Sequence, residues 1–176
     1  MKIGVLSDTH EDVRGIKKAV SAFNAADVSV VIHAGDIISP IMVKHLKELK
    51  MQFIAVFGNN DGEKNLWRKR LGEFKNGAHL HERYLDTELG GKKFLLIHEP
   101  DLLDSCVASA RYDFIVYGHT HVVDLRKIGE TVILNPGEVC GLVTGKSTAA
   151  IIDLEKGVTT VFLLDTMATV AELNAK

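Results

Sequence analysis

The chain has 176 residues, 46% of them apolar and 25% charged, with a formal charge of -2. That is enough apolar material for one core of moderate size, so a single globular domain over residues 1–176 is expected, with no general attraction to nucleic acid or an anionic membrane surface. No apolar run is long enough to cross a bilayer, and the N-terminal run stops at Ser7-Asp8, short of a signal peptide. Two cysteines, Cys106 and Cys140, are too few for a disulfide scaffold, so a cytoplasmic protein with reduced thiols is expected.

Ile3, Val5 and Leu6 form a short apolar run ending at Ser7-Asp8-Thr9-His10, the pattern of a buried strand that delivers polar groups at its C-terminal end. From Val13 to about Ala25 the spacing of Ile16, Val20 and Phe23 predicts a helix, with Asp12 at its N-terminal end. The pattern then repeats. Val28 to Ile32 reads as a second buried strand ending at His33-Ala34-Gly35-Asp36, and Pro40 to Leu49 as a helix. Phe53 to Phe57 supplies a third strand, ending at Gly58-Asn59-Asn60-Asp61-Gly62, followed by a short helix from Glu63 to Leu71.

The second half is richer in strands. His79 to Leu89 reads as a strand region, and Lys93 to Ile97 as a clearer strand ending at His98. A short helix over Leu102 to Ala110 leads to a strand from Phe114 to Tyr117, which ends at Gly118-His119-Thr120-His121. Further strands are expected at Val122–Arg126, Thr131–Leu134, Thr148–Leu154 and Val158–Leu163, with Glu155-Lys156-Gly157 turning between the last pair. The final residues have helix-forming composition. Early β-α units followed by strands argue for an α/β chain, most economically two packed mixed sheets with helices outside.

Asp8, His10, Asp36, Asn59, His98, His119 and His121 all sit at strand ends, and their carboxylate, imidazole and amide groups suit divalent transition metals. Loops after successive parallel strands gather at one sheet edge, which lets residues dozens of positions apart share a centre. In Asp8-Thr9-His10 and His119-Thr120-His121 the one-residue separation would put both side chains on one face of a continuing strand, and a loop could bring them together with different torsions.

In their order, Asp8-Thr9-His10, Gly35-Asp36, Gly58-Asn59, His98 and Gly118-His119-Thr120-His121 resemble the signature of the calcineurin-like metallophosphoesterase superfamily. Length and motif spacing are most similar to its small bacterial and archaeal phosphodiesterase subgroup, which is also related to the retromer scaffold subunit. The resemblance implies an α/β/β/α sandwich with a dinuclear centre at the strand ends. It implies that Asp8, His10, Asp36 and His121 bind one ion and Asp36, Asn59, His98 and His119 the other. Manganese is the first choice, with nickel, cobalt, iron, zinc or magnesium as alternatives, because mixed nitrogen and oxygen ligation does not identify one metal. The implied activity is hydrolysis of phosphate diesters by metal-activated water. The alternative is a catalytically weak or silent metal-binding scaffold.

Larger relatives carry a histidine after the asparagine matching Asn59, where this chain has Asn60; that departure favours substrates with good leaving groups. Asp61 is expected to act in catalysis by orienting Asn59, a water or a neighbouring ligand, and not as the general acid. Glu99 stands where the subgroup often has glycine, and Glu138 follows Asn135-Pro136-Gly137 where serine is common; both are expected to tune substrate choice or reduce activity. His33 is expected either to orient a ligand or to serve the core. Arg68-Lys69-Arg70 reads as a solvated helix face, with nucleic-acid binding a minor alternative. A phosphate-ester substrate is the expected partner, and the region Leu134 to Val143 or the apolar strand edges could support a homo-oligomer.

Overall fold

The computed structural model describes residues 1–175. Among these residues the strands form two sheets. The first contains β1 (Lys2–Leu6), β2 (Val30–His33), β3 (Gln52–Val56), β4 (Ala78–His81), β10 (Thr148–Asp153), β11 (Val158–Leu163) and β12 (Thr169–Asn174). The second contains β5 (Tyr84–Leu89), β6 (Lys92–Ile97), β7 (Phe114–Val116), β8 (Asp124–Ile128) and β9 (Thr131–Asn135). Their spatial orders are β12-β11-β10-β1-β2-β3-β4 and β5-β6-β7-β9-β8. Strands β1 to β4 run parallel, with Ile3 beside Val30 and Val30 beside Gln52, whereas β10, β11 and β12 extend that sheet antiparallel. In the second sheet β6, β7 and β9 are parallel, flanked by antiparallel β5 and β8.

The period of two along each strand sorts its side chains between layers. Ile3, Val5, Val30, Ile32, Ile54 and Val56 of the first sheet meet Phe94, Leu96, Phe114, Val116, Val132 and Leu134 of the second, giving a buried core between the sheets. The alternate residues face outward. Val31, Phe53 and Ala55 pack under helix α1 (Val13–Ala26) and the one-turn helix α2 (Val43–Leu46), together with Trp67 of α3 (Lys64–Arg70) and Phe74. Leu95, Ile97, Ile115 and Ile133 pack against Leu103 of α4 (Leu103–Ala108) on the other side. The result is an α/β/β/α sandwich of two mixed sheets. Helix α1 begins where Asp12 accepts the backbone N–H groups of Arg14 and Gly15 at 3.1 and 3.0 Å, and its Ile16, Ala19, Val20 and Phe23 form the buried stripe.

Three elements differ from the sequence expectation. The C-terminal residues form a strand, β12, rather than a helix; pairing with β11 and the half-burial of Ala171 and Leu173 at alternate positions override their helical composition. Residues 79–89 divide between β4 and β5, which belong to different sheets, with the chain crossing at Glu82-Arg83. The segment after Pro40 is a 3-10 turn, Pro40–Met42, followed by the one-turn α2, and Met42, Val43, Leu46 and Leu49 cover the core without a continuous helix.

Six of the parallel strands, β1, β2, β3, β6, β7 and β9, each run out into a polar loop. These loops share one edge of the sandwich, since the His119 backbone N–H after β7 reaches the Asp8 carboxylate after β1 at 3.1 Å.

Candidate metal centre

Each donor is set by the loop that follows its strand. Asp8, His10, Asp36, His119 and His121 all have left-handed backbone, with φ of 51, 39, 62, 68 and 62°. That conformation costs a non-glycine residue ~1 kcal/mol or more, and Asp and His tolerate it better than branched side chains. Two glycines permit the close approach. A Cβ on Gly118 would lie 1.9 Å from Ser7 Oγ and 2.8 Å from Asp8 Oδ2, and one on Gly58 would lie 2.2 Å from Asp36 Oδ1.

Asp36 is at the middle of the cluster. Its Oδ2 lies 3.4 Å from His10 Nε2 and 3.5 Å from His98 Nε2, so one carboxylate oxygen faces two imidazoles. Asp8 Oδ1 lies 3.9 Å from His10 Nε2 and 3.5 Å from His121 Nε2. On the other flank, Asn59 Oδ1 meets His98 Nε2 at 2.9 Å and His119 Nδ1 at 3.0 Å. All seven residues singled out in the sequence therefore lie in one connected cluster. Asp8, His10 and His121 form one compact donor group, and Asp8, Asp36 and His98 another.

The donor chemistry fits divalent cations. His98 Nδ1 donates to the Ala34 carbonyl at 2.7 Å, which leaves Nε2 of the neutral ring as a lone pair facing Asn59 Oδ1 and Asp36 Oδ2. Acceptors facing acceptors repel unless a proton or another cation lies among them. His10 Nε2 is buried without a hydrogen-bond partner and is directed at two carboxylates. Both observations describe a pocket arranged for positive charge, and the nitrogen and oxygen donors suit several first-row ions.

The electrostatics follow from the same contacts. Burial works against an ionised Asp36, but His98 and Asn60 outweigh it and hold the carboxyl well below the usual range. Burial pushes Asp8 up, against the pull of Ser7, His98 and His121. Burial disfavours a charged His98, yet Asp36 and Asp8 draw its pKa upward. His33 is fully buried and its pKa is lowered to about 3, chiefly by desolvation. That histidine accepts the Gly35 N–H at 3.1 Å and sits 3.3 Å from Thr9 Oγ1, so it braces the loops after β1 and β2.

Asp61 has a different environment from the donors. Its Oδ1 accepts the N–H groups of Ile37 and Ile38 at 2.8 and 2.6 Å, and its Oδ2 those of Asp36 and Gly58 at 3.0 and 2.7 Å. The buried carboxylate thus ties the Asp36 loop to the Asn59 loop. Asn60 donates to both Asp36 oxygens, from its backbone at 3.0 Å and its side chain at 2.7 Å. Glu99 lies 3.8 Å from the Arg83 guanidinium and lines the cleft beside Asn59 and His98.

Glu138 is the residue whose role sequence reasoning missed. It is fully buried and bonds His121 Nδ1 at 2.8 Å. Burial opposes its ionisation, but His121, Thr144 and Cys140 lower its pKa to about 2. The available signal was the replacement of a small polar residue by an acid after Asn135-Pro136-Gly137. Beside the centre, on the Asn59 and His98 side, a cleft of about 730 Å³ is walled by Tyr84, Leu95, Ile97, Leu102 and Tyr112, with Lys64 and Arg83 among its lining groups.

A family model for the calcineurin-like phosphoesterase superfamily domain matches residues 1–157. The phosphodiesterase MJ0936 of Methanocaldococcus jannaschii is 37% identical over 158 residues, covering 89% of this chain and 95% of that protein. The solved structure of an archaeal phosphodiesterase superposes with a TM-score of 0.88 at 34% identity, covering 93% of this chain and 99% of the other. Zinc-complexed Vps29 from Entamoeba histolytica shares the fold, with a TM-score of 0.74, 15% identity and full coverage of both chains.

Proposed function

The chain belongs to the calcineurin-like phosphoesterase superfamily, and we propose that it is a metal-dependent phosphodiesterase acting through a dinuclear centre. The observation that carries the reading is Asp36 Oδ2, set between His10 Nε2 at 3.4 Å and His98 Nε2 at 3.5 Å, which suits a carboxylate shared by two ions. Asp8, His10, Asp36 and His121 would hold one ion, and Asp36, Asn59, His98 and His119 the other, with manganese the first choice. When bound, the ion pair would offset phosphate charge and make water a competent nucleophile near neutral pH.

The protein's own groups account for the rest. Ala34 fixes the His98 ring, Asn60 holds both oxygens of Asp36, and Asp61 acts as a positioning residue by locking the backbone of the two donor loops. Asn60 has no titratable proton to give, and its amide is committed to Asp36 at 2.7 Å. Asn60 therefore cannot protonate the leaving group, which favours esters whose alcohol leaves readily. A diester carries two organic substituents. The cleft beside Asn59 and His98, with apolar walls and Lys64 and Arg83 paired to Glu82 and Glu99 in its lining, offers room for one of them. The contribution of both sheets to one donor cluster supports a single domain over residues 1–176. Two free cysteines support a cytoplasmic location.

Metal-stripped protein given Mn²⁺ should hydrolyse bis(p-nitrophenyl) phosphate faster than p-nitrophenyl phosphate, and Asp36→Ala should lose both ion binding and turnover. Metal-stripped Asp36→Ala protein as active as the Mn²⁺-loaded parent would overturn the proposal. Two bound ions with no turnover of either ester would favour the scaffold reading, for which Vps29 shares the fold.

A further inference from the structure

The carboxylate of Glu138 is surrounded entirely by hydrogen-bond donors. Oε1 accepts the Val143 and Thr144 N–H groups at 3.0 and 2.6 Å and the Thr144 hydroxyl at 2.8 Å. Oε2 accepts the N–H groups of Leu142 and Val143 at 3.0 and 3.1 Å and the Cys140 thiol at 3.1 Å, and it lies 2.8 Å from His121 Nδ1. A carboxylate with this many donors is acceptor only, so the His121 nitrogen facing it must carry a proton. In the neutral ring the other nitrogen, Nε2, is then a bare lone pair, and it points at Asp8 Oδ1 from 3.5 Å.

We propose that Glu138 is a positioning residue that fixes the Nδ1-protonated tautomer and ring orientation of His121, and couples both to the loop through residues 140–144. The tautomer follows from the contacts alone; the consequence for ion affinity rests on the metal-centre reading. The chemistry is that of a histidine ligand whose far nitrogen is held by a carboxylate, which raises the basicity of the ligating nitrogen. A serine at this position would be too short to bridge His121 and the amides of residues 142–144 together. The acid therefore links the donor to a loop that displays Leu142 and Val143, which are 74% and 67% exposed.

Two measurements test this. Long-range ¹H–¹⁵N NMR of the metal-free parent at pH 8 should show His121 Nδ1 protonated, and Glu138→Ser should lose that signature. A bare Nδ1 in the parent, or an unchanged pattern in the variant, overturns the proposal. In calorimetric Mn²⁺ titrations, Glu138→Ser should weaken one of the two ions about 10- to 100-fold and the other much less. Thr144→Ala loosens the same loop without touching His121 and should leave both affinities near the parent's; an equal loss in both variants would reduce Glu138 to a loop brace. If the parent binds no Mn²⁺, the metal-centre reading fails, while the NMR result on the parent still decides whether Glu138 sets the tautomer.

Discussion

Replacing Asp61 by asparagine tests how the donor loops are held. The carboxylate accepts two backbone N–H groups on each oxygen, at 2.8 and 2.6 Å on Oδ1 and at 3.0 and 2.7 Å on Oδ2. Asparagine has one acceptor oxygen and one amide donor. In either orientation of its side chain, two backbone N–H groups lose their acceptor and face a donor instead. An unsatisfied buried donor costs roughly 1–3 kcal/mol, so the pair sums to about 2–6 kcal/mol. Asp61 is 8% exposed, which lets water relieve part of this, and about 3 kcal/mol is the expected loss. Urea unfolding of the metal-free protein, followed by circular dichroism, reads that loss without reference to activity. A difference below ~0.5 kcal/mol would refute the reasoning, because surface substitutions alone reach that size.

Two other perturbations probe packing and charge. Gly118→Ala should destabilise the metal-free protein by about 1–3 kcal/mol and weaken Mn²⁺ binding, since its Cβ would meet Ser7 Oγ at 1.9 Å and Asp8 Oδ2 at 2.8 Å; parent-like urea midpoint and ion affinity would contradict this. Asp113 accepts the Lys93 N–H at 2.8 Å and the Lys92 ammonium at 3.0 Å. Burial works against its ionisation, but these bonds hold its pKa below the unfolded value of 3.8. A depressed folded pKa gives stability that is present above the unfolded pKa and lost as pH falls through the folded one. Asp113→Asn should therefore trail the parent at pH 7 and converge with it in strong acid; a constant gap from pH 7 to pH 2 would count against the contact.

Much of the architecture was legible because each parallel strand is short, apolar and ends in a polar motif. Phe94, Leu96, Phe114 and Val116 alternate with Leu95, Ile97 and Ile115, and both faces are covered, which gives continuous apolar runs that stop abruptly at His98 and Gly118. The donor residues could be nominated for the same reason. Their mutual distances could not, because they depend on loop conformations set by contacts such as Asp61 with the Ile37 and Ile38 amides. Glu138 was visible only as an acid in an unexpected place. Its partners lie in a loop whose course no local pattern encodes. Strand β12 was missed because edge pairing, rather than propensity, decides its conformation.

The hydrogen bond between the Asp8 carboxylate and the His119 backbone joins positions 111 apart in the chain. During synthesis, then, β1 and its loop emerge long before the strand that completes their surroundings. Until His121 has been made the chain carries only part of the donor set, and His121 lacks its Glu138 partner until that residue follows. Closing so long a loop is entropically costly until both sheets have docked. On the metal-centre reading, the complete donor set would then exist only in the assembled sandwich.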